Sequence, residues 1–142
     1  MANRFSKQNI ARAGVTIAST AISSATTTAQ ATSTDTLGGD EVIFNIDVSA
    51  RTNGTVSVAV NEADASNMSG ETAVPASKIK YYRYDSAGAP LSTASSLAVV
   101  GRLAVGVINS KRYVTCDIVT TGTTSLTAQA TAEVVSSISP QN

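Results

Sequence analysis

The residues that could carry chemistry are few in this sequence, and their types exclude several reactions. The chain has no histidine and a single cysteine, Cys116. It therefore lacks the Ser–His–Asp and Cys–His arrangements of nucleophilic catalysis and every metal site that uses histidine. A lone cysteine forms no intrachain disulfide, and the alternating pattern around Cys116 favours a small buried side chain over a reactive thiol. Such a cysteine fits a reducing compartment.

The acidic residues near one loop are the remaining candidates for ion binding or acid–base chemistry. Glu62, Asp64 and Glu71 lie close together in sequence. Calcium requires six to eight oxygens at closely set positions, and these carboxylates do not match the spacing of a calcium loop. A solvated loop is the favoured interpretation. No pattern marks out a catalytic carboxylate pair or a phosphate-binding glycine loop, so we predict a protein that is not an enzyme and has no metal or other cofactor.

Basic and aromatic side chains are interleaved in the segment KIKYYRY at 78–84. Such a mixture can stack on single-stranded nucleic acid, whereas the alternative is an exposed strand that makes a protein contact. Ten basic residues balance ten acidic ones, and phosphate binding is driven by a basic surplus. We therefore expect a protein contact here and no nucleic-acid partner. The candidate contact residues are Tyr81, Tyr82, Arg83 and Tyr84.

The elements that would position these groups are predicted to be β-strands. Apolar residues alternate with polar ones in EVIFNIDVSA from residue 41, which is typical of a half-buried strand. Asn53-Gly54 predicts a hairpin turn and a return strand to about residue 63. The segments 104–108 and 112–121 flank a polar break and predict two adjacent antiparallel strands at the centre of a sheet.

Further period-two segments at 78–85, 96–101 and 124–135 bring the total to seven or eight short strands. This pattern predicts an all-β protein, an antiparallel Ig-like β-sandwich with an extended N-terminal arm. The residues expected in its core are Val42, Phe44, Ile46, Val58, Val114, Cys116, Ile118 and Leu126.

The first 37 residues differ in composition from the rest of the chain. Ala, Ser and Thr dominate, which allows a flexible linker or an extended segment that adds to a sheet edge. We predict an arm at 1–37 that is disordered in the free subunit and orders across a neighbour, a β-sandwich domain at 38–136 and a tail at 137–142. The arm's candidate interface residues are Val15, Ile17 and Ile22.

The start of the chain carries Arg4, Lys7 and Arg12, which imitate the basic end of a secretory signal. The segment that follows is too polar for a signal core or a membrane span, so we expect a soluble, unprocessed protein with no membrane partner. Zero net charge removes one barrier to self-association. Large apolar residues are few, so we expect modest monomer stability and burial against other copies in a homo-oligomer.

Two passages of the sequence carry a resemblance to a known group of proteins. They are GTVSVAVNEAD at 54–64 and VVGRLAVGVINSKRYVTCDIVTTGTTSLTAQATAEVV at 99–135, with KRYV at 111–114 in its centre. They resemble small structural proteins of tailed bacteriophages, which show x-V-x-L-x-E-S-D-D before a variable loop and then G-Y-x-G-x-K-R-Y-V-R before an Ala-rich final strand. In this chain the acidic pair is reduced to NEAD, and the first 35 residues lie outside the resemblance.

The resemblance implies a head-associated decoration or cement protein that binds the outside of the capsid. Its implied partners are the major capsid protein and copies of itself, and its implied location is the phage head after synthesis in the host cytoplasm. Lys111, Arg112 and Tyr113 are the implied contact residues. The alternatives are a neck or tail protein of the virion and a carbohydrate- or host-binding β-module. A β-module favours exposed aromatics on loops, whereas the tyrosine cluster lies on a predicted strand.

Overall fold

The computed structural model describes residues 8–36, 39 and 41–138, and this part of the chain is built almost entirely of strands. The strands are β1 (Gln8–Ile22), β2 (Thr27–Thr28), β3 (Thr34–Asp35), β4 (Glu41–Ala63), β5 (Thr72–Ala73), β6 (Ile79–Asp85), β7 (Gly101–Val107) and β8 (Tyr113–Ile138), with one 3₁₀ turn at Ala76–Lys78. All of their pairings are antiparallel. The predicted all-β antiparallel class is therefore confirmed. The expectations placed on Arg4 and Lys7, and on the tail beyond Ile138, lie outside the described residues.

One long ribbon organises the sheet. β4 and β8 pair from Glu41 opposite Val135 to Ala63 opposite Tyr113. In its first half the sheet has the order β1-β8-β4-β7-β6. In its second half β2 and β3 pair with the start of β8, and β5 pairs with the end of β4. Each half of the ribbon therefore pairs with a different set of strands.

The two halves of the ribbon share one hydrophobic core. Phe44 and Ile46 of the first half and Ile118 of the second half are fully buried in the same cluster. Tyr81 of β6 packs against the same core cluster as Cys116 of β8, although their strands are not paired. The sheet therefore bends over its own inner face, which is consistent with the predicted Ig-like sandwich.

Every predicted core residue except Val58 is buried. Val58 is half-buried and packs against the cluster from its margin. The buried positions follow the alternation of the sequence, since even-numbered side chains of β4 and β8 point inward.

The hairpin predicted at Asn53-Gly54 is wrong, because β4 runs through it without reversing. Gly54 has a φ of 100°, and the register with β8 shifts on both sides of Asn53. Opposite this point β8 contains Gly122 with a φ of 77°. Both glycines provide a bend shared by two paired strands, so the positive φ that Asn-Gly favours is used for a bulge instead of a turn.

The predicted central hairpin is also wrong. The segments 104–108 and 112–121 form strands, but β4 lies between β7 and β8. β4 has buried apolar residues along its length and pairs on both sides, so it takes the centre of the sheet. Of the strand predicted at 96–101, Leu97 makes only an isolated bridge to Val56, and regular pairing starts at Gly101.

Residues 8–36 pair with β8 of their own chain. β1 extends from Gln8 opposite Ile138 to Ile22 opposite Leu126, and β2 and β3 follow along the same strand. In this structure the segment adds to an edge of its own chain, and ordering across a neighbour stays a prediction. The segment pairs with β8 because β8 is long. Its second half provides a long hydrogen-bonded ladder and lets the isoleucines of the segment enter the core.

Candidate interaction surfaces

The block Lys111-Arg112-Tyr113 lies at the start of β8, where the chain returns from β7. The carboxylate of Glu62 accepts hydrogen bonds from the backbone N–H of Ser110 at 2.7 Å and of Lys111 at 3.2 Å. Glu62 is buried, and it stands at the end of β4. A buried carboxylate needs such donors, so the backbone of this corner is held firmly.

Arg112 and its neighbours attach β3 to this corner. The guanidinium donates to both carboxylate oxygens of Asp35, at 2.9 and 2.8 Å, and lies 5.0 Å from the ring centre of Tyr113. The hydrogen bond to Asp35 raises the pKa of Arg112. The carbonyl of Arg112 accepts from the backbone N–H of Thr36 at 2.9 Å. The side chain of Arg112 therefore makes its contacts within its own chain. The ammonium of Lys111 donates a hydrogen bond to the hydroxyl of Thr72, at 3.2 Å.

The candidates on β6 divide between two faces of the sheet. Tyr81 packs against the core, and burial raises the pKa of its phenol. Arg83 donates to the carbonyls of Ser92 and Ser96 at 2.7 and 3.3 Å, so it holds the loop before β7. Tyr82 is 49% exposed on the opposite face.

The β1 candidates are divided in the same way. Ile17 and Ile22 are buried in the core of their own chain, whereas Val15 is 62% exposed. A register shift between Val15 and Ile17 makes Thr16 the extra residue of a bulge. The bulge sends two odd-numbered side chains to opposite faces, which period-two reasoning does not anticipate.

These divisions define an outer face, the side of the five-stranded half that points away from the core. Its residues follow from the strand register, and one row across the five strands consists of Val15, Thr131, Asn45, Ala104 and Tyr82. The neighbouring row consists of Glu133, Ile43, Gly106 and Lys80. The next consists of Val135, Glu41, Ile108 and Lys78, where the backbone N–H of Ile108 donates to the carbonyl of Lys78 at 3.0 Å.

Exposed apolar side chains concentrate on the outer face. Val15, Tyr82 and Ile108, which is 57% exposed, are three of the four large apolar side chains that are exposed in the described part of the chain. Sequence reasoning missed Ile43 and Ile108. Ile43 could have been found, because it is an apolar residue on the strand face where Asn45 and Asp47 point to solvent.

The charges of the outer face are separated by sign. Lys80 lies on β6 and Lys78 at the end of the 3₁₀ turn just before it, at one margin, while Glu133 lies on β8 toward the other. Glu41 lies over β7, since its carboxylate is 3.0 Å from the position that a Cβ of Gly106 would take. At the far end of the face Arg102 is opposite Asp47 and stacks on Tyr84, 5.1 Å from the ring centre. The face is therefore positive at β6 and negative toward β8.

Outside the outer face, the features that could bind a ligand are carboxylates and clefts. Among the residues described, no group of three or more Cys, Asp or Glu side chains is placed to hold a metal ion. A cleft of about 360 Å³ opens between β1 and residues 31–35, and its ionisable side chain, Asp35, is paired with Arg112. No helix in the described ranges has the length and apolar character required to span a membrane.

Comparison with known proteins gives one structural likeness. No family model matches this chain, and no curated protein matches it. The crystal structure of the SPBc2 prophage-derived protein YomS is similar, with a TM-score of 0.46 and 13% sequence identity. The alignment covers 91% of this chain and 96% of that one.

Proposed function

We propose that this protein is a non-enzymatic structural component of a phage virion that binds the outside of the head and stabilises it. The observation that carries the proposal is the contact between the two passages that resemble phage structural proteins. Glu62, from the passage at 54–64, accepts hydrogen bonds from Ser110 and Lys111, in the passage at 99–135. Separate motifs that meet through a buried carboxylate behave as one structural unit, which supports a resemblance of the whole domain.

The mechanism is mechanical. A domain whose sheet shares a single core is rigid enough to bridge neighbouring capsomers, and each bridge adds interface that internal pressure must break. Individual contacts need not be strong, because many copies on one particle act together. Of the predicted contact residues, Val15, Tyr82 and Arg112 are exposed, and Tyr84 and Lys111 are half-buried. The proposed partners are the major capsid protein and further copies of this chain.

The test is to locate the chain in particles. Virions from cells that carry this gene are purified, the chain is quantified by mass spectrometry, and its position is determined by cryo-electron microscopy. We expect many copies on the outer surface of the head, and heads that lose DNA at a lower temperature when the gene is deleted. Density confined to the neck or tail would replace the head assignment by another virion role. Absence from purified virions would refute the proposal.

The position of the contact is tested by complementing the deletion. The wild-type gene should restore heat resistance, whereas Lys111→Glu should restore less of it, because a basic contact residue becomes acidic. Thr121→Glu introduces a negative charge at an exposed position away from the corner and serves as the control. Equal restoration by both variants would exclude Lys111 from the contact.

A further inference from the structure

We propose that the outer face pairs with the outer face of a second copy of this chain. The inference deepens the proposed function by naming a partner surface, and it rests on that function only for the place where pairing occurs. The two sheets would pack face to face about a twofold axis that runs parallel to the strands above β4. Such an axis exchanges β1 with β6 and β8 with β7, so every contact occurs twice.

The apolar side chains of the outer face are complementary under this axis. Val15 and Tyr82 stand at opposite ends of one row, so Tyr82 of each copy lies over Val15 of the other. Ile108 likewise lies over Val135, since they flank Glu41 in one row. Between the bulky margins stands Ala104, whose small side chain lets a second sheet approach. Aligned sheets pack about 10 Å apart with their side chains interdigitated.

The charges of the outer face are complementary under the same axis. Lys80 and Glu133 belong to one row, on β6 and β8, so Lys80 of each copy comes beside Glu133 of the other. Arg102 comes beside the second copy's Asp47 in the same manner. Glu41 is the exception, because it meets its own counterpart at the axis as a like charge, and Lys78 in the same row offsets part of this repulsion. Opposite charges across an interface set its register, and a net charge of zero leaves no general repulsion.

The size of the face sets the strength of pairing. Five strands about 4.8 Å apart and seven residues of about 3.3 Å each give a surface of roughly 24 by 23 Å. This is less than the ~800 Å² per partner of a standard stable interface. Pairing is therefore reversible and must be measured over a range of concentrations.

The test is sedimentation equilibrium of the purified full chain from micromolar to millimolar concentration. We expect a monomer–dimer equilibrium. Lys80→Glu and Glu133→Lys should each weaken dimerisation about tenfold or more, because each places like charges side by side. The double variant, which exchanges the two charges, should recover most of the lost affinity.

The control is Glu71→Lys, the same charge reversal on an exposed loop residue away from the outer face. A thermal melt of each variant verifies folding. A wild-type chain that stays monomeric at about 1 mM would overturn the inference, because specific pairs form at far lower concentrations. A dimer whose affinity neither Lys80→Glu nor Glu133→Lys lowers would also overturn it. So would a wild-type monomer whose Lys80→Glu variant loses particle binding, because the outer face would then contact the particle and not a second copy. A dimer that is absent from virions would instead refute the proposed function and leave this inference standing.

Discussion

Two segments that precede β4 are fastened to the same strand, β8, in different ways. β1 runs along the second half of β8 in a ladder that begins at Gln8 and ends at Ile22. Residues 23–36, here called the strap, follow the first half of β8, where they form only the two-residue strands β2 and β3. The strap replaces the missing ladder with hydrogen bonds from individual side chains.

Gln30 is the clearest of these fastenings. It is 6% exposed, and its side-chain oxygen accepts from the backbone N–H of Cys116 at 2.9 Å. Its amide nitrogen donates to the Thr32 carbonyl at 2.7 Å and to the Thr34 hydroxyl at 3.0 Å. The backbone N–H of Gln30 donates to the Asp117 carboxylate at 2.8 Å. One buried amide thus takes the place of a strand partner.

Thr120 fastens the start of the strap. Its hydroxyl accepts from the backbone N–H of Thr26 at 3.1 Å and lies 3.0 Å from the carbonyl of Ser24, to which it can donate. Attachment by a ladder is thus distributed over many backbone groups, whereas attachment by the strap depends on a few side chains. Substitutions should therefore act differently in the two segments.

The largest effect on stability is expected in the hydrophobic core, which supports both β1 and the strap. Phe44 is fully buried beneath the five-stranded half, so Phe44→Ala should lower the free energy of unfolding by about 3–5 kcal/mol. Denaturant unfolding measures the loss, and hydrogen exchange should show β1 and the strap loosening together. Val58→Ala, at a half-buried position, should cost less. A loss for Phe44→Ala below about 1 kcal/mol would contradict a central position.

A smaller effect, confined to the strap, is expected for Gln30→Leu. The substitution keeps the size of the side chain but leaves the N–H of Cys116 buried without an acceptor, which costs about 1–3 kcal/mol. Amide exchange should accelerate at Cys116 and in the strap, and stay slow in β1. Gln129→Leu, a half-buried position on β8, is the matched control. Equal effects of the two substitutions would remove the distinction between strap and ladder.

The thiol of Cys116, beside the Gln30 contact, links this region to pH. Burial raises its pKa above the ordinary value of 9.0. Above that pH the unfolded chain releases a proton that the folded chain retains, so stability is present below pH 9.0 and is lost as the pH rises. The loss approaches about 1.4 kcal/mol per pH unit.

The measurement is the difference in unfolding free energy between the wild type and Cys116→Ala from pH 7 to 11. Tyrosines away from Cys116 ionise alike in both proteins and cancel in this difference. Both proteins also carry Tyr81→Phe, because Cys116 helps to raise the pKa of Tyr81. The difference should be constant up to about pH 8 and then shrink as the wild type loses its advantage. A difference that stays constant throughout would show that the thiol ionises as easily in the folded protein as in the unfolded one.

The smallest effect is expected on the ladder itself. Thr20 lies on β1, and its hydroxyl donates only to the nearby carbonyl of Ala18, at 2.7 Å, in an exposed position. Thr20→Ala should therefore change the free energy of unfolding by less than about 0.5 kcal/mol. Urea titration of both proteins is sufficient. A loss as large as that of Gln30→Leu would mean that β1 also depends on single side chains.

The alternation of the sequence predicted the core and the strands, because side-chain burial in a strand is a local property. It did not predict the pairing. Asn53-Gly54 and Gly122 permit a turn and a bulge equally well, and only the paired partner decides between them. The strand order was missed for the same reason, since the break at 109–111 does not reveal which strand lies beside which.

Some of the buried polar residues that hold the strap and the corner could have been predicted from the sequence. Glu62 continues the buried phase of Val56 and Val60 in β4, and Thr120 continues that of Ile118 in β8. A polar residue in a core phase indicates a buried hydrogen-bonding role. Gln30 carries no such signal, because it lies outside any regular strand and its partner is 86 residues away in sequence.

The order of the strands along the chain has a consequence for synthesis. β8 is made after β1, β2, β3 and β4, yet all four pair with it. On the ribosome these strands emerge without their partner, and their apolar faces stay uncovered until residues 113–138 have been translated. Folding is therefore completed late and through contacts distant in sequence, which makes it slow. The abundance of Ala, Ser and Thr in residues 8–36 suits this interval, because waiting segments with few large apolar side chains are less prone to aggregate.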